Sequence, residues 1–185
     1  MKTLKIILII IAVIIVVPLI VALFTAKDYA VERQITINKP LEQVWDYVKY
    51  LKNQDNYSKW AGMDPLMEKS FKGEDGTIGF VSAWESKNPD VGKGEQEIIA
   101  ITPPERIDYE LRFIEPFESK EKAYMITEAT GDNQTLVKWG FKGRMEYPMN
   151  LMLLVMDFEA MLAGDFETGL RDRKSTRLNS SHRIR

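Results

Sequence analysis

The apolar and polar positions of this chain fall into one unbroken run followed by two periodicities. From Ile6 to Phe24 every residue is apolar, with Pro18 as the one irregularity. At the helical rise, such a run spans about 28 Å, close to the hydrocarbon thickness of a bilayer. Lys2 and Lys5 precede it, and Lys27 behind it is soon offset by Asp28 and Glu32. The positive-inside bias then predicts a cytoplasmic N-terminus and an exported remainder. A cleaved signal peptide would have an apolar stretch of about 7–15 residues and a small-residue cleavage site. Here the run is longer, and Phe24 sits where a site ending at Ala26 needs a small side chain. Residues 1–27 are expected to be an uncleaved signal anchor. Proline is tolerated in such a helix.

Beyond the run the pattern changes to that of a soluble domain. Tyr29–Asn38 alternates well enough for a strand. Asn38 and Pro40 mark a helix start, and Leu41, Val44, Trp45, Val48 and Leu51 then form an apolar stripe. From 66 to 144 turn signals separate a series of strands: Met67–Lys72, Thr77–Glu85, about Gly94–Thr102, Arg106–Ile114, Lys122–Glu128 and Leu136–Arg144. The Asp75-Gly76 step predicts a hairpin between the first two. In the fourth, Ile107, Tyr109, Leu111 and Phe113 share one face, with Arg106, Asp108, Glu110 and Arg112 on the other. One-sided strands of this kind predict an antiparallel sheet with one solvated face. Asn150–Leu170 reads as a long closing helix. Leu151–Met156 is apolar nearly all round and is expected to be its most deeply buried part. Gly164 and Gly169, each costing roughly 1 kcal/mol within a helix, suggest close packing there on the sheet.

Charge and composition narrow the picture. The whole chain carries −2. Residues 1–27 contribute +3 and residues 172–185 contribute +4, which leaves −9 on 28–171. That domain lacks the basic footprint of a nucleic-acid binder, and as a whole it would be repelled by an anionic membrane surface. With no cysteine, an exported domain relies on its core, and thiolate metal sites are excluded. Asp172–His182 resembles one reading frame of a widely used sequencing adapter. Residues 172–185 are therefore expected to be an artefactual disordered tail, with part of a native final helix lost. The single histidine, His182, falls in that tail.

The order strand, helix, six strands, long helix resembles the START-like (SRPBCC) superfamily, closest to its polyketide cyclase/dehydrase-like branch. The resemblance rests on Ile37–Val48, the stretch from Trp60 to Asp64-Pro65, Val91–Glu95, Pro103–Ile107, Val137–Trp139 and Gly164–Leu170. It implies an α+β helix-grip fold of about seven antiparallel strands wrapped on a C-terminal helix over residues 28–171. It also implies a cavity between sheet and helix.

Among candidate sites, Gly73–Gly79 lacks the following helix that a phosphate loop needs, and the same holds for Gly92-Lys93-Gly94. Asn56-Tyr57-Ser58 and Asn133-Gln134-Thr135 match the glycosylation sequon, a short motif. Asp157, Glu159, Asp165 and Glu167 spread around a helix and form no metal cluster. No metal or cofactor is expected, and without an imidazole no serine nucleophile has a base. The inward aromatics Trp60, Phe80, Trp84, Tyr109, Phe113, Trp139 and Phe141, with Met125, Met152 and Met156, are expected to line the cavity. Singly, each is ordinary core; together, aromatics with adaptable Met suit an apolar ligand. Three function classes follow: a membrane-anchored binder of a hydrophobic small molecule or lipid, an enzyme of cyclase, dehydrase or hydrolase type, or an envelope interaction module with a filled core. The first is favoured. No catalytic residue carries over from the family, and Tyr109, Tyr124 and Asp64 are the candidates to test.

Overall fold

The computed structural model describes residues 2–156, except the side chains of Lys59 and Trp60. α1 (Lys2–Phe24) takes in the entire apolar run, Pro18 included. Almost all of its side chains are exposed, so its apolar surface is not spent on the protein's own core. It is long and apolar enough to cross a membrane, a property that signal sequences share.

Three residues later the domain begins with β1 (Asp28–Ile37), α2 (Leu41–Val48), a 3-10 turn (Leu51–Asn56) and α3 (Lys59–Met63). Then come β2 (Glu68–Lys72), β3 (Val81–Glu85), β4 (Lys93–Thr102), β5 (Arg106–Glu115), β6 (Ser119–Gly131) and β7 (Gln134–Arg144). They form one antiparallel sheet in the order β1-β7-β6-β5-β4-β3-β2, so the first strand closes onto the last. This is the α+β arrangement with a seven-stranded antiparallel sheet that the resemblance implied.

Alternation explains which side is covered. Val31, Ile37, Val137, Trp139, Ala123, Met125, Ile107, Tyr109, Ile98 and Phe80 are buried on the inner face. The α2 stripe Val44, Trp45 and Val48, continued by Leu51, is buried with them in one core. Opposite, the β4–β5 surface carries ions: Arg112 reaches Glu95 at 2.6 Å, Glu110 at 2.7 Å and Glu97 at 2.8 Å.

Three local expectations are corrected. β3 starts at Val81 rather than Thr77, because residues 73–80 form a longer loop in which Gly76 and Gly79 take positive φ. Within it the Asp75 carboxylate accepts the Leu51 N–H at 2.7 Å and the Lys52 N–H at 3.1 Å. The Asp-Gly step therefore caps a distant 3-10 turn instead of closing a tight hairpin. β6 begins three residues earlier than its apolar pattern suggested, at Ser119. Beyond β7, a 3-10 turn (Met149–Leu151) leads into α4 (Met152–Val155). Of the stretch expected to be buried more deeply than the helix's end, Leu151, Met152 and Leu153 are half-buried and Leu154, Val155 and Met156 are exposed at 60, 79 and 37 %, while that end lies outside the described residues. Asn150 is bound to the end of α1, which packs the 3-10 turn against that junction. The rest of the expected closing helix, with Gly164 and Gly169, and the tail from Asp172 lie outside the described residues.

Candidate ligand-binding site

Strand register divides the inner face into rows that cross the sheet. One row, away from α1, runs Val31, Phe141, Ala123, Tyr109, Ile98. Its members are all buried, and Phe80, which exchanges backbone hydrogen bonds with Ile98, extends it. The next row toward α1 contains Tyr29 and Gly143 on one side and Leu111, Gln96 and Ser82 on the other. Glu121 pairs with Leu111 within it. The last row is Phe113, Gly94, Trp84, Lys69. Burial relaxes along this direction. Leu111, Gln96, Ser82, Phe113 and Trp84 are only half-buried.

Trp84 and Phe113 meet edge to face, with centroids 5.9 Å apart at 75°. The Trp84 indole lies across Gly94, where a Cβ would come within 2.5 Å of the ring and 2.7 Å of the Arg112 carbonyl. Glycine there is what lets a tryptophan lie flat over the neighbouring strand. The indole N–H points toward the Val91 carbonyl at 3.4 Å. The result is a half-open aromatic shelf beside a closed core.

Polar chemistry enters at the same end. Glu121 is buried, and one carboxylate oxygen accepts the Arg144 N–H at 3.0 Å. Burial raises its pKa above the usual glutamate value, against that hydrogen bond and one from Ser119. Tyr29 nearby is pushed up to about 12, first by burial and then by the charge of Glu121. Burial makes this carboxyl harder to ionise than an exposed one, and a carboxyl in its protonated form can donate as well as accept.

The expected site residues thus separate. Phe80, Tyr109, Met125, Trp139 and Phe141 belong to the filled core, where Tyr57 also packs edge-on against Trp139 at 5.6 Å. Trp84 and Phe113 form the shelf. Met152 is half-buried and Met156 exposed, and the Trp60 side chain lies outside the described residues. Of the catalytic candidates, Tyr109 is in the core. Tyr124 sits on the outer face, donating to Glu32 at 2.6 Å beneath Arg106. Burial and that bond push its phenol up to about 12. Asp64 accepts from the Ser86 hydroxyl at 2.5 Å and the Leu66 N–H at 2.9 Å, which hold its carboxyl below the usual range. That is the chemistry of a loop brace. Sequence reasoning missed Glu121, Gln96 and Ser82. Counting back by two from Met125 and Ala123 would have found Glu121.

A shallow cup of about 440 Å³ lies at the β1, β7 and β6 end nearest α1. Lys120, Lys122, Lys142, Arg144, Asp28 and Ala30 line it from the outer face, together with Tyr29, Glu121 and Gly143 of the inner-face row. Among the described residues no cluster of His, Cys, Asp or Glu is arranged to hold a metal.

Solved structures share the fold at low identity. Norcoclaurine synthase from Thalictrum flavum, in complex with dopamine and hydroxybenzaldehyde, superposes with TM-score 0.60 and 9 % identity over 90 % of this chain and 94 % of that one. XoxI from Bacillus cereus gives 0.56 and 16 % over 83 % and 99 %. Major latex-like protein 151 from Panax ginseng gives 0.56 and 12 % over 80 % and 97 %. No curated relative matches the sequence. Residues 29–176 match the family described as polyketide cyclase / dehydrase and lipid transport, and with most of the chain inside that match this protein belongs to that family, within the START-like superfamily.

Proposed function

We propose that this protein is a membrane-tethered binder of a hydrophobic small molecule or lipid, held over the inner face of the sheet. The observation that carries the reading is the gradient on that face, from a filled core at Tyr109 and Phe80 to the half-buried Trp84–Phe113 shelf. Trp84 and Phe113 would contact the ligand, and Trp60, Met152 and Met156 are proposed with them on the sequence pattern alone. Phe80, Tyr109, Met125, Trp139 and Phe141 support them from beneath. The family's description includes lipid transport, and norcoclaurine synthase holds two small aromatic molecules on this fold. A catalytic variant of the reading is favoured by one feature, the buried Glu121 carboxyl at the apolar edge.

The tether is supported by a seat for the helix. The side-chain amide of Asn150, fully buried, donates to the Ala22 carbonyl at 2.7 Å and the Thr25 carbonyl at 3.0 Å. Cleavage after α1 would leave that amide buried without its partners, a penalty of about 1–3 kcal/mol. An uncleaved anchor in the cell membrane, with the domain on the extracytoplasmic side, fits both this seat and the N-terminal lysines.

Mass spectrometry of the detergent-extracted full chain tests the binding claim. The wild type should retain an apolar compound that Trp84→Ala largely loses. Phe80→Ala, in the filled core, should lower stability by about 3–5 kcal/mol. Trp84→Ala should lower it clearly less, since its neighbours already lack full contacts. No retained compound, together with equal stability losses, would show a filled interior and defeat the proposal.

A further inference from the structure

We infer that the end of the domain joined to α1 is a docking face for the anionic phospholipid surface of the membrane that holds α1. The inference rests on the anchor reading above. Antiparallel order brings four connections to this end: residues 64–67 before β2, 86–92 between β3 and β4, 116–118 between β5 and β6, and 145–148 after β7. β1 starts here, three residues beyond α1, a length that reaches no more than about 11 Å. Backbone and side chain fix the junction further. The Met145 N–H donates to the Lys27 carbonyl at 2.8 Å, Lys27 pairs with Glu146 at 3.2 Å, and Asn150 holds the last turn of α1.

Two kinds of side chain at this end match a lipid surface. Leu66 is 89 % exposed and Phe117 80 % exposed, at two of the loop tips, with Met149 and Leu154 also uncovered beside α1. Large apolar side chains at loop tips are costly in water and suited to the headgroup boundary. The cup lies at the β1–β7–β6 edge of this end, beside the 116–118 tip, and sets Lys120, Lys122, Lys142 and Arg144 against Asp28 and Glu121. Lys122 and Lys142 are direct register partners on one face, an arrangement that repels unless an anion lies between them. Glu110 is the nearest register carboxylate, yet it is taken up by Arg112 at 2.7 Å and Lys120 at 3.3 Å. Asp28 and Glu146 are taken up by Arg144 at 2.9 and 2.6 Å. Lys122 and Lys142 have no ion pair among the described residues. Lys142 only approaches the Tyr124 ring, at 5.8 Å. In a domain of net charge −9, a local cluster of cations beside the anchor orients the molecule: this end is drawn to lipid phosphates and the rest is repelled.

The chain contains no cysteine, so single-cysteine variants of the full protein report cleanly. Leu66→Cys and Phe117→Cys, each labelled with a polarity-sensitive fluorophore, are compared with Ile78→Cys, an apolar position 64 % exposed at the opposite end of the sheet. In nanodiscs of phosphatidylcholine mixed with phosphatidylglycerol, the labels at 66 and 117 should shift to shorter wavelength. They should also become several-fold less accessible to iodide, while the label at 78 stays open. Adding Lys122→Glu and Lys142→Glu should return much of that accessibility. Equal quenching at 66, 117 and 78 in a protein that co-elutes with the discs overturns the docking face alone. Shielding that is the same in pure phosphatidylcholine and indifferent to the lysine reversals overturns its anionic specificity. A protein that fails to co-elute with discs removes the anchor reading, and the docking face with it.

Discussion

Glu121 is the residue where burial and charge conflict most directly. Its carboxyl is enclosed on the inner face and keeps a backbone hydrogen bond from Arg144, yet burial outweighs that bond and raises its pKa. The folded state therefore holds this proton more tightly than the unfolded chain does. By linkage, the contribution of Glu121 to stability falls as pH climbs from the ordinary glutamate range through the raised value, then levels off. Glu121→Gln keeps an acceptor for Arg144 and cannot ionise. The variant should match the wild type at acid pH and exceed it by a growing margin as pH rises. Urea unfolding of both proteins across a pH series measures that margin. A margin independent of pH would mean that the enclosed carboxyl ionises without penalty, against the raised pKa that burial gives it.

At the scale of elements, what was legible was local. Period-two alternation in Arg106–Glu115 gave both faces of β5 correctly, and the α2 stripe named the side chains that now sit in the core. The order of elements gave the antiparallel sheet. What escaped were contacts between residues far apart in sequence, because no periodicity encodes them. Asp75 read as half of a turn dipeptide, and its work is to bind Leu51 and Lys52. The gradient from closed core to open shelf was equally hidden, since Phe80 and Phe113 look alike as inward aromatics. Asn150 is the sharpest case. It read as a helix start, and it caps the end of α1 from 128 positions away. The last carbonyls of a helix have no partners within it, and here a buried side-chain amide supplies them. Asn150→Ala should cost about 1–3 kcal/mol by leaving buried carbonyls unpaired. Asn150→Asp should cost more, because it sets acceptors against acceptors. Thermal unfolding in one detergent ranks the three proteins, and faster proteolysis around residues 25–28 should accompany the loss. Equal melting temperatures would mean that anchor and domain are independent.

For the whole molecule, the arrangement of charge bears on the proposed orientation. Lys2 and Lys5 lie ahead of the apolar run, while the domain behind it carries −9. Basic residues beside a spanning segment are retained on the cytoplasmic side, whereas acidic residues contribute little to the choice. The domain is therefore expected outside the cytoplasm, where a chain without cysteine has no disulfides to gain and depends on its core alone. Protease added to intact spheroplasts should digest the domain and leave a membrane-protected fragment containing residues 6–24. Lys2→Glu with Lys5→Glu should weaken that preference, so that part of the population becomes protected until lysis. Full protection of the wild type in intact cells would place the shelf on the cytoplasmic side. The ligand would then be drawn from the inner leaflet and cytoplasm, and the positive-inside argument would fail for this chain.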